Sequence, residues 1–463
     1  MMDTPICDFA RRYEESGALR LHMPGHKGAA LLGPEPYDLT EIDGADSLYE
    51  AAGIIQESEE NASSLFGCTT LYSTEGSSLC IRAMLYLTVI YARQRGIRPL
   101  IAAGRNAHKT FLSAAALLDL DVAWLYPEEK DSYLSCRPAP AKLERFLAQA
   151  PEKPAAVYIT SPDYLGNTAD IEGLARVCHR HGVLLLVDNA HGAYLRFLPR
   201  SLHPMDLGAD LCCDSAHKTL PVLTGGAYLH ISPAAPEIFT RQAKNALALF
   251  GSTSPSYLIL QSLDRANLYL AQGYKERFAA FLEETAALKE RLSARGFTLI
   301  GDEPMKLTLA PKDYGYSGTA LAALLQKENI VCEFADPDYL VLMLTPETGS
   351  EGLSLLEKAL LSLPRRPALS EKAPAFCRPE RVLSIREAAL SPCETIPVSV
   401  SCGRVLAAAS VGCPPAVPIL VCGERIDETA LRAFAYYGIE KCTVIQCAPP
   451  DSAQSCSQEN CFS

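Results

Sequence analysis

Residues 183–192 read VLLLVDNAHG, an unbroken apolar run that leads directly into an aspartate. A run that is apolar at every position, rather than at alternate positions, is typical of a strand buried on both faces of a sheet. Comparable runs recur through the first half of the chain, separated by helical patterns. Strands are predicted at 98–103, 122–126, 155–160, 183–187, 211–213 and 227–231, with helices at 77–92, 110–118 and 170–181. This alternation predicts an α/β fold with a mainly parallel sheet between two layers of helices.

The chain has 463 residues, which is too long for one compact core, so several domains are expected. The pattern indicates an N-terminal segment (1–60), a large domain (61–251), a long helix with a smaller α/β domain (252–365) and a C-terminal α+β domain (366–463). The long helix is predicted to run from 252 to 295 through Gly273. Beyond it, strands are predicted at 297–300, 306–310, 331–334 and 339–344, helices at 319–328 and 352–363, a proline-rich linker at 364–379 and a frayed end.

The overall charge argues against a nucleic-acid partner. The formal net charge is −12, and no cluster of Lys and Arg that could neutralise phosphates is present. The uncharged stretch 405–423 approaches the length of a membrane span, but its prolines favour a turn between two short strands. No signal peptide is evident at the start, so a cytoplasmic protein is expected.

The 17 cysteines do not follow the spacing of a metal site or a disulfide framework. Cys212 and Cys213 are adjacent in an apolar strand, as is typical of small core residues. We therefore expect reduced thiols and no metal.

Two charged residues follow predicted strands. Asp188 ends the opening run, and Lys218 lies in the sequence DSAHK (214–218) after the next strand. Ligands of parallel sheets bind beyond the carboxyl ends of the strands. Burial lowers the pKa of a lysine and frees its amine to attack an aldehyde. Taken singly, each residue is more often a helix cap or a salt-bridge partner.

A third feature is the start of the helix at Gly76-Ser77-Ser78. Glycine allows close approach of the backbone, and two hydroxyls with free N–H groups suit a phosphate, although a simple helix cap is the commoner explanation. The three features together supply an anion site, a carboxylate and an amine. Pyridoxal 5'-phosphate requires all three, for its phosphate, its ring nitrogen and its aldehyde.

Motifs along most of the chain resemble those of the Orn/Lys/Arg decarboxylase family. The ordered set, more than any one member, carries the resemblance. It comprises PGHKG (24–28), LTEI (39–42), LFG (65–67), RNAHK (105–109), Ser161-Pro162 with Tyr164 and Gly166, SAHKTLP (215–221), STSPSY (252–257) and Pro414-Pro415 with Pro418 and Gly423-Glu424. The resemblance implies an aspartate-aminotransferase-like fold of type I with a seven-stranded sheet. It also implies the short form, without the receiver-like N-terminal domain.

The resemblance implies a role for each site residue. Lys218 would hold the cofactor covalently, Asp188 would pair with the pyridine nitrogen, and His108 would stack on the ring face opposite the lysine. Ala190 would pack beneath the ring, and His191 would also contact the cofactor. The phosphate would be bound by Gly76, Ser77, Ser78, Ser215 and His217. A homodimer is implied, with Thr253 and Ser254 reaching the phosphate of the neighbouring subunit.

The implied reaction is decarboxylation of arginine, lysine or ornithine to the corresponding amine. Glu424 and Glu75 are candidates for binding the cationic side chain, although surface carboxylates are the more common case. The family usually has Glu where this chain has Asn189, and Asn where it has Glu75. An aminotransferase or a Cα–Cβ lyase on the same cofactor remains open, as does a protein that binds the cofactor without turnover.

Overall fold

The computed structural model describes residues 2–127, 132–376, 378–408, 412–413 and 417–446. Its centre is a seven-stranded sheet in the order β1-β7-β6-β5-β4-β2-β3. The strands are β1 (Thr69–Ser73), β2 (Leu100–Gly104), β3 (Asp121–Leu125), β4 (Ala156–Thr160), β5 (Leu184–Asp188), β6 (Leu211–Asp214) and β7 (Ala227–Ile231). Strands β2 to β6 pair in parallel, and β7 pairs antiparallel with both β6 and β1. The predicted mainly parallel sheet is therefore confirmed.

Strand β1 was not predicted from the sequence. Its residues, TTLYS, mix polar and apolar side chains and give no continuous apolar run. It forms because its backbone pairs with β7 along its whole length, from Thr69 opposite Ile231 to Ser73 opposite Ala227. The paired residues are far apart in the chain, so the pattern of apolar residues within 69–73 does not predict this strand.

Helices cover both faces of this sheet, and the alternation of side chains along each strand decides which layer each residue meets. Leu185 and Val187 pack with one layer of helices, whereas Leu186 packs with the other. The helices within the described residues are α1 (Pro5–Glu15), α2 (Ile54–Phe66), α3 (Gly76–Gln94), α4 (Lys109–Leu118), α5 (Pro140–Gln149), α6 (Ile171–Arg180), α7 (Ala216–Thr219), α8 (Glu237–Phe250), α9 (Tyr257–Ala271), α10 (Tyr274–Arg295), α11 (Gly318–Lys327), α12 (Gly349–Leu361), α13 (Ile385–Ala389) and α14 (Glu428–Tyr436).

The single helix predicted from 252 to 295 is wrong, because the structure has two helices there. Helix α9 ends at Ala271, and α10 begins at Tyr274. Gly273 between them has φ of +66°, a left-handed conformation that interrupts the right-handed helix. The apolar periodicity continues through the break, which is why the sequence alone suggested one element.

The smaller α/β part is a four-stranded antiparallel sheet in the order β10-β11-β9-β8, covered by α11 and α12. The strands are β8 (Leu299–Ile300), β9 (Lys306–Leu309), β10 (Phe334–Ala335) and β11 (Leu340–Met343). The strand predicted at 331–334 is shorter than expected, and Val331 lies outside it with 85% of its surface exposed.

The described residues of the C-terminal part form two small antiparallel pairs. Strands β12 (Cys393–Pro397) and β15 (Lys441–Ile445) pair, as do β13 (Gly412–Cys413) and β14 (Val417–Pro418). The second pair confirms two short strands within the uncharged stretch 405–423. Pro414 and Pro415 of the quoted motif, and the end predicted to fray, lie outside the described residues. No helix in the described ranges is long and apolar enough to cross a membrane.

Candidate active site

A cavity of about 540 Å³ opens at the carboxyl edge of the central sheet. Thr160, Asp188 and Cys213 lie side by side at the ends of β4, β5 and β6, so the parallel register brings these three strand ends together. Most of the predicted site residues line this cavity: Gly76, Ser77, Ser78, His108, Asp188, Ala190, His191, Ser215, His217 and Lys218. Residues separated by more than 140 positions in the sequence thus share one space.

Lys218 lies in the short helix α7, one turn beyond the end of β6. Its Nζ is 3.1 Å from Nε2 of His191. Burial lowers the pKa of the Lys218 amine, and the nearby Asp188 and Glu333 oppose this effect. Burial also holds the pKa of His191 well below its ordinary value, so its ring is neutral and Nε2 can accept a hydrogen bond from Lys218. A lysine in this setting has the reactivity that covalent binding of an aldehyde requires.

Asp188 is held rigidly at the end of β5, with only 2% of its surface exposed. The hydroxyl of Tyr158 donates to Oδ2 at 3.0 Å, and the backbone N–H of Ala190 donates to Oδ1 at 3.2 Å. Tyr158 comes from the neighbouring strand β4, so the sheet itself orients the carboxylate. Asp188 can therefore present a fixed negative charge to a cationic ring nitrogen.

The expected phosphate site is formed where α3 and α7 begin. Gly76 has φ of +70°, and its N–H donates to the carbonyl of Gly225 at 2.7 Å. The N–H groups of the following residues belong to the first helical turn, where no intrahelical carbonyl is available. The hydroxyl of Ser215 donates to that of Ser77 at 2.7 Å, which joins the two helix starts. His217 Nδ1 donates to the carbonyl of Gly226 at 2.9 Å, which orients its ring beside the two helix starts.

His108 is the N-terminal cap of α4, and its Nδ1 accepts the backbone N–H of Thr110 at 3.2 Å. Burial lowers the pKa of His108, although Asp188 opposes this effect. The imidazole is thus a neutral flat ring in the cavity wall, as stacking on a heterocycle requires.

The cavity also contains buried polar atoms that lack a partner. Within the described residues, Asn106 Oδ1, Thr160 Oγ1 and His191 Nδ1 line it and make no hydrogen bond. An unsatisfied buried polar atom costs about 1–3 kcal/mol, so several around one cavity indicate a polar ligand. Pyridoxal phosphate has the phosphate, phenolic oxygen, ring nitrogen and aldehyde that match this set of donors and acceptors. The residues present therefore fit the cofactor.

The expectation that Glu424 faces the substrate is corrected by its environment. Glu424 is 2% exposed, and its Oε2 accepts from Arg105 at 2.9 Å and from the backbone N–H of Val421 at 2.7 Å. Burial raises the pKa of Glu424, and the Arg105 guanidinium opposes this. The carboxylate is committed to an internal ion pair and does not line the cavity.

Glu75 is also directed elsewhere. Its Oε1 accepts the backbone N–H of Ser252 at 2.6 Å, and it is not among the residues around the cavity. Thr253 and Ser254 follow on this exposed loop and do not line the cavity.

Asn189, which departs from the family pattern, points away from the cavity. Its Nδ2 donates to Asp214 Oδ1 at 2.7 Å in the interior below the strand ends. Asp214 Oδ2 accepts from Nε2 of both His203 and His230 at 3.0 Å. This group has the composition of a metal site, but the hydrogen bonds between its own atoms account for its arrangement. The departure at position 189 therefore affects the hydrogen bonds of the interior below the cavity and does not change the residues that line it.

Sequence reasoning missed part of the cavity wall. Glu333 of the smaller α/β part lines the mouth, and the hydroxyl of Tyr164 donates to its Oε1 at 2.6 Å. Tyr164 belongs to a quoted motif, but its role was not inferred. Nothing around Glu333 in the sequence distinguishes it from other surface carboxylates, so only the tertiary structure identifies it. Further missed lining residues are Ile81, Asn106, Lys109, Leu134, Thr160 and Val417.

Comparisons with known proteins agree with this geometry. A family model described as "Orn/Lys/Arg decarboxylase, major domain" matches residues 4–306. The chain is 27% identical to the arginine decarboxylase of Bacillus subtilis strain 168, over 92% of each chain. It is also 27% identical to the uncharacterized protein YaaO of that organism, over 94% of each chain. The lysine decarboxylase LdcF of Francisella novicida has a similar fold, with a TM-score of 0.77 at 17% identity, over 96% of this chain and 81% of that one.

Lys218, Asp188 and the helix starts supply what the cofactor of this family needs, and the family model covers most of the chain. The chain therefore belongs to the Orn/Lys/Arg decarboxylase family, whose members are pyridoxal-phosphate-dependent decarboxylases of fold type I.

Proposed function

We propose that the protein decarboxylates a basic amino acid (arginine, lysine or ornithine) and releases the corresponding amine and CO₂. The observation that carries this proposal is Glu333 at the mouth of the cavity, oriented by its hydrogen bond from Tyr164. Apart from Asp188, which the cofactor requires, Glu333 is the one carboxylate among the described lining residues. It can pair with a cationic side chain. Relatives named arginine decarboxylase at 27% identity favour arginine among the three candidates.

The roles proposed for the chain's residues follow from their positions. Lys218 would hold the cofactor through its Nζ, Asp188 would pair with the pyridine nitrogen, and His108 would lie against the ring face. Gly76, Ser77, Ser78, Ser215 and His217 would bind the phosphate, with Ala190 and His191 completing the contacts. When bound, the cofactor supplies an electron sink for the bond between Cα and the substrate carboxylate.

The side chains of Lys218 and His191 would then control the proton that is delivered to the substrate Cα. When Lys218 is not holding the cofactor, its Nζ would remain in the site, where burial lowers its pKa, and could deliver a proton to the substrate Cα. His191 Nε2 accepts from this amine at 3.1 Å and so limits its orientations. With Nε2 as acceptor, the ring proton of His191 is on Nδ1, which is available to a ligand oxygen.

The discriminating experiment is product analysis on the purified holoenzyme with arginine, lysine, ornithine and a neutral amino acid. We expect CO₂ and the amine from at least one basic substrate and none from the Lys218→Ala variant. A keto acid together with pyridoxamine phosphate would instead establish transamination. A visible absorbance band of the lysine-bound cofactor that no amino acid perturbs would indicate a binding protein without turnover.

A second variant tests the choice of substrate. Glu333→Gln should raise KM for basic amino acids about 3–10-fold, the effect of removing a charged partner at a partly solvated site. The matched control is Glu351→Gln, which changes an exposed carboxylate of α12 away from the cavity. An unchanged KM for every basic substrate would remove the main support for a basic side chain.

We also propose a homodimer in which Thr253 and Ser254 bind the phosphate of the partner's site. Their loop is exposed in the single chain, and so are apolar side chains of the N-terminal segment, including Leu21 (82%) and Leu32 (91%). Co-expression of Lys218→Ala with a Thr253→Ala/Ser254→Ala variant should restore one complete site per heterodimer. Failure to regain cofactor binding above either parent would contradict a contribution from the partner subunit.

A further inference from the structure

Among the described residues of the C-terminal part, one side chain reaches the cavity. Val417 of β14 is 7% exposed and lines the cavity beside Leu134. It packs in one apolar cluster with Leu134 and Tyr164 of the large domain and with Phe334 of the smaller sheet. Three parts of the chain therefore meet at this wall. The family model ends at residue 306, so the match assigns no role to β14.

A buried arginine fixes β14 at this position. Arg105 follows β2 directly, and its side chain has 0% exposure. Its Nη1 donates to the carbonyl of Pro418 at 3.2 Å, and its Nη2 donates to the carbonyl of Ile419 at 3.1 Å. Nη2 also pairs with Glu424 at 2.9 Å. The guanidinium carbon lies over the rings of Trp124 and Phe376, at 5.3 and 5.9 Å from their centres.

The arrangement suits arginine specifically. A planar guanidinium can donate in several fixed directions at once, whereas an ammonium is a single point charge. Pro418 adjoins Val417, so the contacts of Arg105 set the backbone next to the wall. Arg105 is also three residues before His108, on the loop whose Asn106 and His108 line the cavity. One side chain thus ties the cofactor face of the cavity to its C-terminal wall.

We infer that Val417 is a specificity-determining residue that limits the length of the substrate side chain, and that Arg105 is the positioning residue that sets it. This inference rests on the proposed amino-acid substrate and adds the selection of chain length. Leu134 and Val417 offer apolar contact to the methylene groups of a linear side chain. Enlarging or reducing Val417 shifts the preferred number of methylene groups.

The test compares the holoenzyme with Val417→Ala and Val417→Leu, using ornithine against lysine and arginine against homoarginine. These pairs differ by one methylene, and one methylene in an apolar pocket changes kcat/KM about 10–200-fold. We expect Val417→Ala to shift the ratio of kcat/KM toward the longer member by about 10-fold, and Val417→Leu to shift it the other way. Val400→Ala is the control, because Val400 is 64% exposed in the same part of the chain. A ratio that stays constant while all substrates change together would overturn the inference.

Amino-acid binding is measured in parallel from the change in the cofactor's visible absorbance, which requires no turnover. If the wild-type protein releases no CO₂, the proposed function fails, while the ratio of Kd values across the Val417 variants still decides the inference. Unchanged Kd ratios would overturn it independently of the reaction.

Arg105 is tested with Arg105→Lys, which keeps the charge but not the planar set of donors. We expect it to shift the length preference in the same direction as Val417→Ala, with the cofactor absorbance retained. The double variant with Val417→Ala should add little further shift, because both changes act on one wall. A purely structural role would lower Tm and leave the ratio unchanged. If Arg105→Lys does not fold, Glu424→Gln provides the same readout, since it loosens the partner of Arg105 and keeps an acceptor oxygen.

Discussion

Asn189→Asp is the substitution that most directly tests the buried hydrogen bond between Asn189 and Asp214, below the ends of the strands. Asn189 is completely buried, and its Nδ2 donates to Asp214 at 2.7 Å. Burial raises the pKa of Asp214, but His203 and His230 outweigh it and hold that pKa below its ordinary value, so Asp214 is ionised. Aspartate has the shape of asparagine, and it replaces an amide donor with a group that donates only when protonated.

The structure predicts both the sign and the size of the effect. Two carboxylates at this distance cannot both ionise in the interior, so the pKa of the introduced aspartate is raised in the folded state. Its pKa in the unfolded chain is about 3.9. Below that pH both states are protonated, and the variant keeps its hydrogen bond. Above it, the variant loses about 1.4 kcal/mol of stability for each pH unit until the folded pKa is reached. The accumulated loss is about 1.5 kcal/mol at pH 5 and about 4 kcal/mol at pH 7.

The assay is urea unfolding of the holoenzyme at pH 5, 6 and 7, with the free energy of unfolding taken from midpoints at a common slope. Asn189→Leu is the control, because it removes the donor without adding a titratable group. The free energy of unfolding of Asn189→Leu should lie below that of the wild type by an amount that does not change with pH. For Asn189→Asp this difference should grow by about 2.7 kcal/mol between pH 5 and 7. A deficit of Asn189→Asp that does not depend on pH would refute the buried pairing with an ionised Asp214.

Three further predictions concern other parts of the chain. Gly273→Ala should destabilise the protein by about 1 kcal/mol, because the left-handed φ of +66° disfavours a Cβ; stabilisation by a similar amount would mean that one continuous helix forms. Burial raises the pKa of Glu303 to about 7, so ionising it costs stability as pH rises from about 4.5 to 7. Glu303→Gln should therefore gain about 1–3 kcal/mol relative to wild type between pH 5 and 8 in urea unfolding, and a constant difference would contradict this. In the folded protein a thiol reagent followed by peptide mass spectrometry should label the exposed Cys393 and Cys402 before the buried Cys213, whose pKa burial raises; equal labelling rates would refute that burial.

The side of the cavity that contains Asp188, Lys218 and Gly76 could be recognised from the sequence because each of these residues follows or begins a recognisable element. Asp188 follows an apolar run, Lys218 follows the next strand in a recognisable motif, and Gly76 begins a helix with two serines. Parallel strands place such residues at one edge whatever the rest of the chain does. The opposite wall carries no comparable signal. Glu333 and Val417 come from separate parts of the chain, and their neighbours in sequence do not indicate a cavity.

The sequence by itself predicted the parallel sheet, the cofactor and most of the residues that the structure places around one cavity, because apolar runs, helix starts and strand-end residues are properties of short segments. It could not reveal the antiparallel pairing of β1, the break at Gly273 or the destinations of Glu424 and Asn189. Each of these depends on a partner distant in the chain or on a backbone angle that the periodicity conceals. Glu424 illustrates the reason, because a glutamate that binds a substrate and a glutamate that forms an internal ion pair cannot be told apart in a sequence. Only the fold, by burying Arg105 beside it, decided which one it serves.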